Sequence, residues 1–177
     1  MMDFTIFQKP IQTTTKNLCK ICTALALLTA AHNTAQAGPG DIHFNGDITN
    51  SAYCIIFVTQ SGALVPNVDA TQLSSKLPGG VAGKAEIWSF RKYDISVSSP
   101  TYFNTYPTGG DVGVNFTTTF SGQSLRKGKT FDEQSGDIPV STRNRFGRTQ
   151  VTVNLVADKP DGFPAGDYSA QTVVRCE

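Results

Sequence analysis

Apolar and polar residues alternate with a period of two along most of the chain after position 40, as expected of strands with one buried face. Ile42, Phe44 and Ile48 share one face of a first strand, with Gly46 between the last two. Tyr53-Cys-Ile-Ile-Phe-Val58 is a denser apolar run. Tyr93, Ile95 and Val97 alternate with Asp94, Ser96 and Ser98. Val112, Val114, Phe116 and Phe120 fall on one face with Thr118 filling the gap, and Val151, Val153 and Leu155 alternate with Thr152 and Asn154. Tyr168, Ala170, Thr172, Val174 and Cys176 share one face of a last strand.

Turn signals separate these runs: Ser61-Gly62, Pro78-Gly-Gly80, Thr108-Gly-Gly110, Ser121-Gly122, Ser135-Gly136 and Asp158-Lys-Pro-Asp-Gly162. The stretch 62–84 is the least patterned and reads as a long surface loop with a short helical turn, or as a weak edge strand. No amphipathic helix is evident. Strands at this spacing without intervening helices predict an all-β, antiparallel sandwich. The last strand is followed by no partner, so its edge is a template for pairing with another chain. That points to a protein built to be assembled.

The N-terminus has a different pattern. Lys9, Lys16 and Lys20 precede an apolar run, Ile21 to Ala31, and then Ala35-Gln-Ala37. This is the layout of a cleaved secretory signal over residues 1–37, and the run is about half as long as a bilayer span requires. Residues 38–177 then form one domain of about 140 residues, long enough for a real core. No later segment approaches a membrane span. The whole chain carries 15 Lys+Arg and 14 Asp+Glu. Removing three lysines and Asp3 leaves 12 and 13, a net −1 that gives no electrostatic reason to expect nucleic acid.

Cleavage also discards Cys19 and Cys22, leaving Cys54 and Cys176. In an oxidising export compartment such a pair is expected to form one disulfide, within the chain or between copies. Closed within the chain, it is worth on the order of 4–5 kcal/mol in the chain-entropy model.

Catalytic chemistry has little to stand on. The mature region has a single histidine, His43, on the strand face opposite Ile42 and Phe44. A zinc site usually needs more histidine or cysteine than this, and a triad has His43 alone to build on. Asp158 and Asp161 flank Lys159-Pro160 and read as a turn, since calcium needs several more oxygen ligands. Neither an enzyme nor a metal or cofactor site is therefore expected. Trp88 and Phe90 share one side of a strand and read as core rather than as a face that stacks on a sugar. Two basic clusters, Arg126, Lys127 and Lys129, and Arg143, Arg145 and Arg148, hold six of the twelve mature positive charges. They read as solvated hairpin tips, or, if the fold unites them, as a site for an acidic glycan or acidic partner.

The segment Gly40-Asp-Ile-His-Phe-Asn-Gly-Asp-Ile-Thr-Asn-Ser-Ala-Tyr-Cys54 resembles the opening of chaperone–usher pilins, Gly-x-aliphatic-x-Phe-x-Gly-x-aliphatic followed shortly by cysteine. Pro164-Ala-Gly-Asp-Tyr-Ser-Ala-Gln-Thr-Val-Val-Arg-Cys176 resembles the terminal strand of those proteins and of spore coat protein U domains. The likeness covers roughly the first twenty and last fifteen residues of the mature region. It implies an immunoglobulin-like sandwich lacking its final strand. A periplasmic chaperone fills the groove first, and the N-terminal extension of another subunit then replaces it at an outer-membrane usher. Gly40, Ile42 and Phe44 take the donor role in that scheme, and Tyr168, Ala170, Thr172 and Val174 line the acceptor edge.

Two features depart from the pilin pattern. Only Gly38-Pro39 precede Gly40 after cleavage, a short donor that suits a tip, anchoring or non-polymerising role. The usual cysteine at the end of the next strand is absent, and Cys176 stands where an aromatic is expected. A Cys54–Cys176 bridge brings its strands within about 7 Å, whereas a donor needs roughly twice 4.8 Å between its neighbours. The bridge is therefore expected to pinch the groove. The expected function is an exported, cell-surface structural subunit, pilus-like or coat-like, that pairs with copies of itself or related subunits. The alternative is a disulfide-closed monomeric module that binds an acidic surface glycan.

Overall fold

Alternation in the sequence becomes strands wherever one face meets a core. The computed structural model describes residues 54–142 and 146–177, and the strand course of 40–46. The described residues form eleven strands: β1 Gly40–Gly46, β2 Cys54–Gln60, β3 Gly62–Pro66, β4 Gln72–Ser74, β5 Gly83–Ser89, β6 Tyr93–Ser98, β7 Asn115–Arg126, β8 Phe131–Ser135, β9 Val140–Thr142, β10 Gly147–Asp158 and β11 Ser169–Cys176. No helix occurs among the described residues. The expected signal over residues 1–37 lies outside them, as do Ile48, Tyr53, Arg143 and Arg145.

The chain folds as an all-β sandwich. β10 is central to one layer: β7 pairs along it from Asn115 to Ser124, and β5 and then β4 share its other side. β2 extends this layer beyond β5, and β8 extends it beyond β7. The other layer runs β3-β1-β11-β6-β9. β3 joins the two, pairing Val65 and Pro66 with β4 and Gly62 to Leu64 with β1.

Strand side chains alternate between faces, so each strand sends every second residue into the space between layers. Thr149, Val151, Val153, Leu155 and Ala157 of β10 are buried, as are Ala170, Thr172, Val174 and Cys176 of β11. Tyr93, Ile95 and Val97 of β6 join them. Each fully buried Leu, Ile, Val or Phe contributes about 1.5–3 kcal/mol relative to an exposed one. One end is closed by an aromatic cluster in which Phe103 lies 4.8 Å from Phe116, 5.0 Å from Tyr168 and 6.0 Å from Phe163, all edge to face. The Tyr168 hydroxyl, buried here, donates to the Pro164 carbonyl at 2.8 Å.

Three local expectations are corrected. The stretch 62–84 holds β3 and β4, and its Leu64 and Leu73 are fully buried. Ser121-Gly122 is not a turn but the middle of β7. Glycine is required there because an added Cβ would lie 2.1 Å from the Phe131 ring packed across it. The face read from Val112 to Phe120 holds for Val114 and Phe116, which pack against the core, and for the buried Thr118 and Phe120, whereas Val112 lies before β7 and is 72% exposed. Gly79 and Gly162 occupy predicted turns with φ of 91° and 82°, where a side chain would be strained.

Candidate functional site

Two places in the fold bear on function: a strand slot in one layer and an aromatic, basic groove at the end of the other.

The slot lies between β3 and β11. β1 fills it, antiparallel to β3 and parallel to β11, with the β11 register running from Asp41 opposite Ser169 to Gly46 opposite Val174. Gly40, Ile42 and Phe44, expected to serve as donor positions, all lie in β1. Ile42 stands opposite Ala170 and Phe44 opposite Thr172. The expectation of an unpaired β11 edge is therefore corrected: β11 has β1 on one side and β6 on the other. Ala170, Thr172 and Val174 belong to the core beneath the slot, and Tyr168 belongs to the aromatic cluster just before β11. His43 lies within β1, opposite Gln171.

Cys54 and Cys176 form a disulfide with Cα atoms 6.5 Å apart. Its position overturns the expected pinch. Cys54 opens β2, which belongs to the layer of β5 and β10, so the bridge joins the two layers face to face. It also lies two residues beyond Val174, where the β1–β11 pairing stops. The disulfide closes the loop from 54 to 176, and β1 lies outside that loop.

The groove forms where β5 ends, β7 ends and β10 begins. Ala85, Ile87 and Ser89 of β5 point into the core, so Glu86 and Trp88 point outward. This corrects the core assignment of Trp88 and Phe90, each 37% exposed. Arg148 stands directly opposite Trp88 in the antiparallel register. Its guanidinium lies 4.7 Å from the Trp88 ring centroid and forms a hydrogen-bonded ion pair with Glu86. The Trp88 Nε1–H donates to the same Glu86 Oε1 at 2.8 Å, and Phe57 meets the indole edge-on at 5.7 Å. The hydrogen bond from Arg148, helped by that from Trp88, holds the Glu86 carboxyl below its usual range against the opposing effect of burial. Glu86 thus fixes both the cation and the indole.

A hollow of about 230 Å³ is lined by Trp88, Phe90, Arg126, Lys127, Phe146 and Arg148, with Ser89 and Gly147. A second hollow of about 580 Å³ shares Phe90 and Phe146 and adds Arg91 and Lys92. Phe90 and Phe146 meet edge to face at 6.0 Å. The backbone here is unusual. Lys127 and Phe146, with φ of 50° and 57°, are two of the three described non-glycine residues in left-handed geometry. Each precedes a glycine at a close backbone contact. A Cβ on Gly128 would lie 2.1 Å from the Arg148 carbonyl oxygen, and one on Gly147 would lie 2.5 Å from that of Lys127.

Of the predicted basic residues, the fold unites Arg126, Lys127 and Arg148. Lys129 does not line either hollow; its backbone N–H donates to Thr149 Oγ1 at 2.9 Å. Sequence reasoning missed Glu86, Phe57 and Phe146. The missed signal was parity, because Trp88 shares its strand face with Lys84 and Glu86, which marks that face as solvent-facing. No cluster of three or more His, Cys, Asp or Glu suited to a metal occurs among the described residues. Nor is any helix among them long and apolar enough to cross a membrane. No family model matches this chain, and no curated protein matches it in sequence.

Proposed function

We propose that the protein is an exported structural subunit of the cell surface, pilus-like or coat-like, assembled by exchange of β1 between copies or related subunits. A periplasmic chaperone would guard the slot in transit and an outer-membrane usher would be the place of exchange, as the pilin resemblance implies. The observation that carries this reading is the parallel placement of β1 beside β11. In an immunoglobulin-like sandwich the strands of one layer follow the order A-B-E-D and those of the other C-F-G. Here β2-β5-β10-β7 corresponds to the first set and β6-β11 to C-F. The remaining G place, ordinarily taken by an antiparallel last strand, is held by the first strand, running parallel. The Tyr168 hydroxyl bonded back to Pro164 at the β10–β11 corner supports the same assignment, since such sandwiches use a tyrosine there.

A strand that completes a sheet from outside the disulfide-closed body can do so within its own chain or in a neighbour. The hydrogen bonds are the same in both cases, which makes exchange of an identical element an inexpensive route to assembly. The bridge does not obstruct withdrawal, because β1 is outside the loop it closes.

An unboiled, non-reducing denaturing gel of the exported protein tests this. A ladder that collapses on boiling without reductant is the expected result. A lone monomer refutes assembly, and a ladder that collapses only on reduction replaces strand exchange with crosslinking through Cys54 or Cys176.

A further inference from the structure

Three aromatic side chains open to water, in a groove whose lining also holds cations, are an unfavourable way to finish a sheet unless something covers them. Trp88 and Phe90 are each 37% exposed and Phe146 62%. Exposed apolar area forfeits the gain of burial, and left-handed backbone at a bulky residue is strained. The Phe146 backbone carries that strain, as does the Lys127 backbone beside it, and both residues line the same hollow.

We infer that this groove is a binding site for an acidic polysaccharide, with the sugar rings against Phe90, Phe146 and the part of Trp88 that Arg148 leaves exposed, and the acid groups on Arg126 and Arg148. The lining holds Arg126, Lys127, Arg148, Arg91 and Lys92, and with Arg148 paired to the neighbouring Glu86 its charge still favours an anion. An anion alone needs no aromatic rings. A sugar has both an apolar C–H face, which packs on an aromatic ring, and substituents that a guanidinium holds through two parallel hydrogen bonds. The arrangement is also directional. Glu86 holds the Arg148 guanidinium over the indole, so that cation and ring are set before any ligand arrives.

The size fits part of a polymer. The first hollow, about 230 Å³, is smaller than a pocket for a drug-sized ligand and shares Phe90 and Phe146 with the second, so the two adjoin along one aromatic pair as a track. Such a track suits successive units of a chain. Bases of single-stranded nucleic acid also stack on aromatics. A chain with 15 basic and 14 acidic residues, however, lacks the net charge that phosphate-backbone binding needs. This inference is independent of strand exchange, because the groove lies at the end of the other layer from the β1 slot.

Trp88 is the only tryptophan in the sequence, so its fluorescence reports the groove in the full-length protein without a label. The probes are polygalacturonate and dextran sulfate as acidic polymers, neutral dextran, and a single-stranded oligonucleotide. A saturable change with at least one acidic polymer and none with dextran is expected. Phe146→Ala and Arg126→Ala, both at exposed positions, are each expected to weaken that binding about tenfold, with unchanged melting temperatures. No response to either acidic polymer overturns the inference. So does an equal response to dextran, or tighter binding of the oligonucleotide. If Arg126→Ala weakens binding and Phe146→Ala does not, the contact is charge alone and the sugar-stacking site is refuted.

Discussion

Replacing both bridge cysteines, Cys54→Ala/Cys176→Ala, removes a link that spans 122 residues of sequence. In the chain-entropy model a loop of that length restricts the unfolded chain by about 5 kcal/mol. Loss of the two sulfur atoms, from residues that are 4% and 7% exposed, adds on the order of 1 kcal/mol. Domains of this size have total stabilities of about 5–15 kcal/mol, so the change removes a third or more of the margin. With a urea slope of about 1–3 kcal/mol per molar, the unfolding midpoint should fall by roughly 2 M or more with little change in slope. Equilibrium urea titration of the oxidised parent and the double variant, followed by far-UV circular dichroism, measures it. A shift below about 0.5 M refutes the reasoning, because the bridge then does not restrain the unfolded chain as a long intramolecular loop.

Other consequences concern single groups. Tyr168→Phe removes the hydroxyl bonded to the Pro164 carbonyl while keeping the ring among Phe103 and Phe163, so urea titration should show a loss of about 1 kcal/mol. Gly136→Ala places a Cβ 2.3 Å from the Val97 carbonyl oxygen, a clash with backbone, and should cost about 1–3 kcal/mol in the same assay. The Glu86 carboxyl is held below 4.5 chiefly by the hydrogen bond from Arg148, and that of Glu133 chiefly by those from Lys76 and Thr119. Both bind protons more weakly folded than unfolded. The stability they contribute is therefore complete above pH 4.5 and is lost as pH falls through their lower folded values. Melting temperature should thus decline below that pH, and Glu86→Gln should reduce the decline; a rise on acidification contradicts the assignment.

The long strands were legible because each repeats its alternation several times. Val151, Val153 and Leu155, and Ala170, Thr172 and Val174, all face the core as their spacing predicts. β3 and β4, with five and three residues, are too short to show a period, so Leu64 and Leu73 went unread as core. Gly122 was misread because a glycine that admits a ring in mid-strand has the same local signature as one in a turn. The parallel partnership of β1 with β11 joins residues more than a hundred positions apart, and no local pattern encodes its direction. The same holds for the layer to which Cys54 belongs, which decides whether the bridge pinches the slot or joins the layers. The groove is half legible: its basic residues stand out in the sequence, whereas Trp88 and Phe90 read as core and nothing local marks Phe146.

Exchange of β1 between chains can be tested directly by crosslinking across the slot. Asp41 of β1 stands opposite Ser169 of β11 in the parallel register. Asp41→Cys and Ser169→Cys variants are produced together in the exporting host and treated with a short bis-maleimide, then run boiled and reduced. A band at the mass of two chains, carrying one of each substitution, is the predicted result, because β1 of one copy then lies in the slot of another. If crosslinks form only within single chains of a variant carrying both substitutions, β1 never leaves its own slot, and assembly by strand exchange is contradicted.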